Sequence, residues 1–396
     1  ATGETLWRFD PEVDFSVEYS EMFTARGVAI HRDEDRSRPC ASRVLFGTLD
    51  ARLLAIDAST GQRCGNFGKQ GEIDLTEGIT RFRRGEYSVT SPPLVLGDTV
   101  VVGSSIGDNG AVALDEGTVR GFDVRSGELL WSWDPVPRSD SQEGADSWQG
   151  NVKPGAANVW TMMSGNPASG VAFLPTSSPS PDFYGGERLG RNRFANSIVA
   201  VDARTGERQW DFQVVHHDLW DSDLASQPTV LDDGRVLVPT KMGLVFLLDQ
   251  ETGEPAFEVV ERPVPVSHVE GEQAHPTQPF PQNPPPLHPL GKLNAADVFQ
   301  PPQSTSDYCA EALQTYRHEG LYTPPGLEGT VLYPGNFGGT NWGSAAADSQ
   351  RQIAVMAINR LATVVRLIPR AEFDSERRRL ADDPRNIQFT AQRGTP

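Results

Sequence analysis

The chain has 396 residues, of which 37% are hydrophobic and 22% charged, a balance typical of a folded globular protein. Its net charge of −18 argues against a nucleic-acid-binding protein, which would present a basic face, and against binding to an anionic membrane surface. The sequence also lacks the run of about 18 apolar residues that a membrane span requires. Its 38 glycines and 31 prolines favour a turn-rich β fold.

A recurring turn, Asp-x-x-Thr/Ser-Gly, is the main repeat of the sequence. We expect an apolar strand to end at the Asp, whose carboxylate accepts backbone N–H bonds, and the Gly to adopt a positive φ. An aromatic residue follows the Gly in most copies and is expected to pack against a neighbouring sheet; the first copy has Gly65 there instead. The four full copies are 57–61, 123–127, 202–206 and 249–253, followed in the last three by Trp131, Trp210 and Phe257.

Pairs of apolar or alternating strands precede these turns. They are predicted at 43–48 with 53–56, at 99–104 with 117–122, and at 236–240 with 244–248. The pattern predicts an all-β fold, a β-propeller of four-stranded blades, as a single domain over 1–396 with four to five complete blades. Thr2-Gly3 followed by Trp7 resembles the tail of a further turn, and no closing copy ends the chain. We therefore expect the sequence to be part of a longer protein, because a propeller must close to cover its sheet edges.

Two regions lie outside the repeat. The Pro-rich insertion 263–302 is not expected to form continuous strands and is expected to cover a face or build a pocket, with a short helix following at 306–317. Cys40 and Cys64 flank two short strands and could form a disulfide, which would fit an oxidising compartment, or remain thiols. Cys309 is expected to be a buried free thiol.

Three polar sites interrupt the blade pattern. Residues 214–223 combine two His, three Asp and a Trp; they could form a solvated loop with capping carboxylates or supply a general base, whereas adjacent histidines lack the usual spacing of zinc ligands. Lys241 could be an exposed hairpin lysine or the partner of an anionic ligand. Asp108 and Asn109 could form an Asx turn or provide oxygen ligands to a hard cation.

Several longer motifs resemble the membrane-bound quinoprotein glucose dehydrogenases, and together they extend over nearly the whole chain. They include Phe-Gly-Thr-Leu-Asp-Ala-Arg-Leu at 46–53, Val-His-His-Asp-Leu-Trp-Asp-x-Asp at 215–223, Lys-x-Gly at 241–243 and Tyr-Pro-Gly-Asn-Phe-Gly-Gly at 333–339. The resemblance implies an eight-bladed propeller, incomplete here, that holds pyrroloquinoline quinone (PQQ) and Ca²⁺ or Mg²⁺ near its axis. It implies oxidation of an aldose or polyol on the periplasmic side of the inner membrane, with ubiquinone as acceptor and any membrane anchor outside this sequence.

The resemblance also implies roles for individual residues. By position, Asp221 resembles the proton-abstracting base, Lys241 the lysine at the quinone, Trp160 the aromatic under the cofactor ring, Arg26 a cofactor-pocket arginine, Asn359 a late pocket residue, and Asp108 with Asn109 the acid–amide pair at the metal. Met22 stands where the glucose enzymes often have His, which leaves the substrate open. The alternatives are a non-catalytic propeller scaffold and an inactive truncated homologue.

Overall fold

The computed structural model describes residues 3–107, 110–150, 154–299, 308–383 and 387–396. Within these residues, successive antiparallel sheets follow the order of the chain. The first sheet has four strands in sequence order: β1 (Ala29–Arg32), β2 (Ser42–Gly47), β3 (Arg52–Asp57) and β4 (Glu72–Asp74).

The next sheets repeat this arrangement. The second region contains β5 (Tyr87–Ser88), β6 (Leu94–Leu96), β7 (Thr99–Val102), β8 (Ser105–Ile106), β9 (Val119–Asp123) and β10 (Leu129–Trp133). Its four-stranded sheet has the order β6-β7-β9-β10, and β5 pairs separately with β8. The third sheet consists of β11 (Ser164–Asn166), β12 (Val171–Pro175), β13 (Ser197–Asp202) and β14 (Arg208–Gln213), and a three-stranded sheet follows with β15 (Thr229–Val230), β16 (Arg235–Pro239) and β17 (Val245–Asp249). These bounds match the predicted strand pairs.

The remaining strands form two-stranded sheets. They are β18 (Val259–Pro263) with β19 (Thr277–Pro281), β20 (Thr330–Leu332) with β23 (Thr363–Val365), and β21 (Ala345–Asp348) with β22 (Ile353–Met356). The helices are α1 (Tyr308–Thr315) and α2 (Phe373–Arg379), with short 3₁₀ turns at Ala145–Ser147, Ala295–Asp297 and Arg370–Glu372. Helix α1 confirms the helix predicted after the insertion. No helix among the described residues is long and apolar enough to cross a membrane.

The four repeated turns have the predicted geometry. In each copy, one carboxylate oxygen of the Asp accepts the backbone N–H groups of the second and third residues that follow, at 2.7–3.0 Å. The glycines that close the turns have φ between 72° and 74°, a left-handed conformation that side chains rarely adopt. The turn is therefore specified locally by the Asp and the Gly.

Tryptophan side chains join one turn to the next. Each indole N–H donates to a backbone carbonyl of the following turn, and each ring lies against the glycine of that turn, where an added Cβ would approach the ring to 2.5–2.8 Å. The sets are Trp7 with Ala58 and Gly61, Trp131 with Ala203 and Gly206, and Trp210 with Gln250 and Gly253. The predicted aromatic packing is confirmed for these copies, whereas Phe257 is exposed.

The first strands of successive sheets lie side by side and together form an arc. Strand β1 contacts β6, β6 contacts β11, β11 contacts β15, and β15 contacts β21. This succession agrees with the predicted propeller, in which consecutive blades place their first strands side by side around an axis. The number of complete blades stays a prediction. Because the strands of the arc are equivalent, the segments that lead into them meet at the same end of the molecule.

Two predictions outside the repeat are corrected. The Pro-rich insertion does contain a strand, β19, which includes Pro279 and Pro281. Prolines are tolerated there because, among the described strands, β19 pairs with β18 alone, so that one of its edges requires no N–H donors. Cys309 is exposed rather than buried, because it lies on α1, whose buried face consists of Ala312. Cys40 and Cys64 form a disulfide, with their Cα atoms 5.8 Å apart.

Candidate active site

The candidate residues lie at one end of the arc of inner strands. Arg26 comes just before β1, Trp160 just before β11, and Asp221 shortly before β15. Lys241 lies in the hairpin between β16 and β17, which turns at the same end. The segment that carries Asp221 is rooted in the core, since its apolar residues Val214, Val215, Leu219, Trp220 and Leu224 are buried.

Lys241 is the centre of the polar cluster. Its Nζ donates to the carbonyl oxygen of Asp221 at 2.9 Å, to Asp221 Oδ1 at 2.9 Å and to Asp223 Oδ2 at 3.2 Å. Only 7% of Lys241 is exposed, which excludes the interpretation as a solvated hairpin lysine. Burial alone would lower the pKa of Lys241, but the carboxylates of Asp221 and Asp223 outweigh it and raise the pKa above its usual value. The ammonium is therefore charged at neutral pH.

Asp223 connects this lysine to Trp160. Its Oδ2 accepts the indole N–H of Trp160 at 3.1 Å as well as the Lys241 ammonium, and its Oδ1 accepts the backbone N–H of Ser178 at 2.6 Å. Burial would raise the pKa of Asp223, but Lys241 and the Ser178 N–H lower it overall. Asp223 is thus an ionised carboxylate with donors on both oxygens.

Asp221 differs from its neighbour in conformation and surroundings. Its φ of 56° is left-handed, and its side chain is 19% exposed. Lys241 donates to Oδ1, and Asn336 Nδ2 lies 3.5 Å from Oδ2, a long hydrogen bond. A non-glycine residue with this backbone conformation persists only where the surroundings enforce it, and such residues are frequent in functional sites.

Arg26 stacks on two tryptophan rings next to the cluster. The Arg26 guanidinium carbon is 5.0 Å from the centroid of the Trp160 ring and 5.8 Å from that of Trp342. Arg26 Nη1 donates to Thr90 Oγ1 at 2.7 Å, while its buried Nε has no hydrogen-bond partner in the structure. Trp342 was not predicted from the sequence, although its position just before β21 corresponds to that of Trp160 before β11.

Comparison with known proteins identifies the family. Residues 1–396 match the PQQ family described as glucose/ethanol/alcohol dehydrogenase, β-propeller domain. The chain belongs to this family. Among curated relatives, the quinoprotein glucose dehydrogenase of Gluconobacter oxydans (strain 621H) is 35% identical over 389 residues, which cover 93% of this chain and 48% of the relative. The glycerol dehydrogenase large subunit of Gluconobacter thailandicus is 34% identical over 399 residues, covering 97% and 53%.

The solved structures support the fold. The quinohemoprotein alcohol dehydrogenase of Comamonas testosteroni superimposes with a TM-score of 0.63 at 21% identity, covering 92% of this chain and 48% of that one. At this identity the similarity concerns the propeller alone. The chain spans about half the length of the curated relatives it matches.

The site residues that the structure describes fit pyrroloquinoline quinone, the planar, anionic cofactor after which the PQQ family is named. Trp160 stacks with the planar guanidinium of Arg26, and Arg26 has an unpartnered buried N–H. The ammonium of Lys241 lies at the same end of the arc, where Asp221 and Asp223 balance its charge. An aromatic ring beside an arginine with an unpartnered N–H is suited to a flat ligand that bears carboxylates.

The histidines of 214–223 have structural roles. His217 Nε2 lies 2.7 Å from Glu272 Oε1, with both side chains buried, and this pair attaches the Pro-rich insertion to the core. Burial and the nearby Arg191 lower the pKa of His216 to about 4, so that it is neutral at pH 7. Among the residues that the structure describes, no group of three or more His, Cys, Asp or Glu could hold a metal ion. The zinc alternative gains no support.

Asp218 caps a turn, which is one of the roles that the sequence pattern allowed for the aspartates of 214–223. It is buried, and its two oxygens accept the backbone N–H groups of Trp220 at 3.1 Å and Ser222 at 2.8 Å. These bonds shape the turn that presents Asp221. The three aspartates of the segment therefore have different surroundings, which the sequence pattern does not distinguish.

The structure says less about the other predicted site residues, Asp108, Asn109 and Asn359. Asp108 and Asn109, the predicted metal pair, lie outside the described residues. Asn359 is exposed, and its backbone N–H donates to Gly339, whose own N–H donates to the carbonyl of Lys241 at 2.6 Å. Asn359 thus connects to the site through the backbone, and its role as a pocket residue stays a prediction.

Proposed function

We propose that the chain forms the catalytic site of a PQQ-dependent dehydrogenase that oxidises an aldose or polyol and passes the electrons to a quinone. The single observation that supports this most strongly is the continuous network from Trp160 through Asp223 and Lys241 to Asp221, with Arg26 stacked on the Trp160 ring. A propeller that serves only as a scaffold has no need of a buried lysine between two carboxylates. Ubiquinone as the acceptor and the periplasmic side of the inner membrane as the location are parts of the proposal.

Different residues would bind different parts of the cofactor and its metal ion. The Trp160 ring supports the flat cofactor and Arg26 binds its anionic groups. Lys241 would exchange its bond to the Asp221 carbonyl oxygen for one to the cofactor, because its three N–H donors are all in use. When bound, PQQ supplies the two-electron acceptor, a chemistry that amino-acid side chains lack. Asp108 and Asn109 would provide oxygen ligands to Ca²⁺ or Mg²⁺.

Asp221 is the best placed general base. Asp218 caps a turn, and Asp223 is held by donors on both oxygens. Asp221 is partly exposed, and the long bond between its Oδ2 and Asn336 is one that a substrate hydroxyl could replace. Lys241 orients the carboxylate through Oδ1, so that Oδ2 would accept the hydroxyl proton of the substrate.

We infer the substrate class from the names of the relatives and from the general base of this site. The names of the relatives refer to glucose and glycerol, both of which are polyhydroxylated. Such a substrate presents a hydroxyl to a base and further hydroxyls to polar residues around it. We therefore propose an aldose or polyol, with the choice between them made by surrounding loops.

Reconstitution tests the proposal. The purified protein is incubated with PQQ and either Ca²⁺ or Mg²⁺, and dye reduction is measured with a panel of aldoses and polyols. We expect metal-dependent reduction with at least one of them. The variant Asp221→Asn should lose about 100-fold or more in turnover and still bind PQQ, as expected for loss of a general base. Asp232→Asn, an exposed change in the β15–β16 hairpin, is the matched control.

The opposite results are equally clear. Absence of metal-dependent dye reduction with every substrate would overturn the enzyme assignment. Parallel loss of PQQ binding and turnover in Asp221→Asn would show that Asp221 has a structural role rather than that of a base.

A further inference from the structure

Asp223 occupies a position that the family resemblance did not assign. Its Oδ2 is shared by the Trp160 indole N–H at 3.1 Å and the Lys241 ammonium at 3.2 Å. Its Oδ1 accepts the Ser178 N–H at 2.6 Å, from the loop between β12 and β13. One carboxylate therefore links an aromatic ring, a cation and the backbone of the neighbouring sheet.

The two carboxylates on Lys241 are not equivalent. Asp223 receives donors on both oxygens, and Lys241 with the Ser178 N–H lowers its pKa despite burial. Asp221 is half-buried, and its Oδ2 makes a long contact of 3.5 Å with Asn336. A carboxylate held by three donors suits a fixed anchor, whereas a group that takes and releases a proton needs an accessible oxygen.

We infer that Asp223 is a positioning residue, which holds the Trp160 ring and the Lys241 ammonium in the orientation that a planar anionic cofactor requires. This inference rests on the proposed function and adds a role for Asp223, to which that proposal assigned none. The indole N–H bond limits rotation of the Trp160 ring, and the shared Oδ2 keeps the ammonium next to that ring. Asp221 is then left for the chemistry.

Replacement of Asp223 by Asn keeps the shape of the side chain and changes its bonding. The amide oxygen can accept one or two of the three bonds, but the amide NH₂ would face another donor, Trp160, Lys241 or Ser178. The buried ammonium of Lys241 would also have one carboxylate instead of two. Trp160 and Lys241 should therefore become less well oriented.

The surrounding backbone should survive this change. Thr161 Oγ1 donates to the carbonyl of Ala225 at 2.8 Å, and Gln227 Nε2 donates to the carbonyl of Met163 at 2.9 Å. These bonds hold the segments before β11 and β15 together without Asp223. Loss of the carboxylate should consequently alter side-chain orientation more than the fold.

The test is a double-mutant cycle on cofactor affinity. PQQ binding in the presence of Ca²⁺ is measured by equilibrium dialysis for the wild type, Asp223→Asn, Trp160→Phe and the double variant. Trp160→Phe keeps an aromatic ring and removes the N–H donor. We expect each single change to weaken binding by about tenfold, the scale of one lost hydrogen bond, and the double change to add little. Asp221→Asn also removes one carboxylate from Lys241 but leaves the bond between Trp160 and Asp223 intact, so it should weaken PQQ binding less than Asp223→Asn does.

Each outcome decides between the possibilities. Wild-type affinity in Asp223→Asn, or fold-losses that multiply fully in the double variant, would overturn the inference. Failure of the wild type itself to bind PQQ would overturn the proposed function instead. If circular dichroism shows that Asp223→Asn does not fold, Trp160→Phe alone decides: unchanged affinity would contradict a role for the Asp223–Trp160 bond.

Discussion

Removal of the buried ammonium of Lys241 is the sharpest perturbation of the site. In Lys241→Met, Asp221 and Asp223 would remain beside each other without the cation that lies 2.9 Å and 3.2 Å from their oxygens. Breaking a buried ion pair by removal of one partner costs about 3–5 kcal/mol. Unfolding entropy of roughly 2.1 cal/mol/K per residue over the 396-residue chain converts this cost to a decrease in Tm of about 4–6 °C at pH 7.

The pH dependence of that decrease is a stricter test. Lys241 has a raised pKa, so its stabilisation is complete below the pKa of an unfolded lysine and is lost only as the pH rises through the folded value. Asp223 has a lowered pKa, so its stabilisation holds above the pKa of an unfolded aspartate and is lost in acid. Without the lysine, two adjacent carboxylates should favour protonation of one of them, so that part of the deficit disappears as the pH falls from 7 to about 4.5.

Calorimetric Tm values at the two pH values, for the wild type, Lys241→Met and the control Lys69→Met, provide the measurement. Lys69 is exposed, and its replacement should change the Tm by less than about 1 °C. A Tm for Lys241→Met equal to that of the wild type at pH 7, or a deficit that stays the same in acid, would refute the reasoning.

Three further predictions concern other parts of the molecule. Gly206→Ala should lower the free energy of unfolding by about 1–3 kcal/mol more than Gly170→Ala. Both glycines have φ of 73°, but only at Gly206 would an added Cβ meet the Trp131 ring, at 2.6 Å. Equal losses of the two variants in denaturant titrations would contradict this prediction. His216 has a lowered pKa of about 4, so stability should fall as the pH drops from 6.5 towards 4, and His216→Gln should reduce that slope. Trp342→Ala should weaken PQQ binding several-fold, with Trp342→Phe recovering most of it in dialysis.

Much of the fold could be predicted because its signals are local. The Asp that accepts two N–H bonds, the Gly with positive φ and the strands on either side all lie within a few residues of one another. The strand inside the Pro-rich insertion was missed because its partner, β18, lies before the insertion, and the exposure of Cys309 depends on how α1 packs.

The sequence by itself determined the turn repeat, the strand pairs, and the candidates Trp160, Asp221 and Lys241. Only the tertiary structure decided that Lys241 is buried between two aspartates and that Trp342 lies next to Arg26. It also separated Asp218, Asp221 and Asp223, which look alike in the sequence. The reason is physical: the bond between Trp160 and Asp223 joins residues 63 positions apart, and whether a carboxylate caps a turn, anchors a ring or faces substrate depends on which donors the fold brings to it.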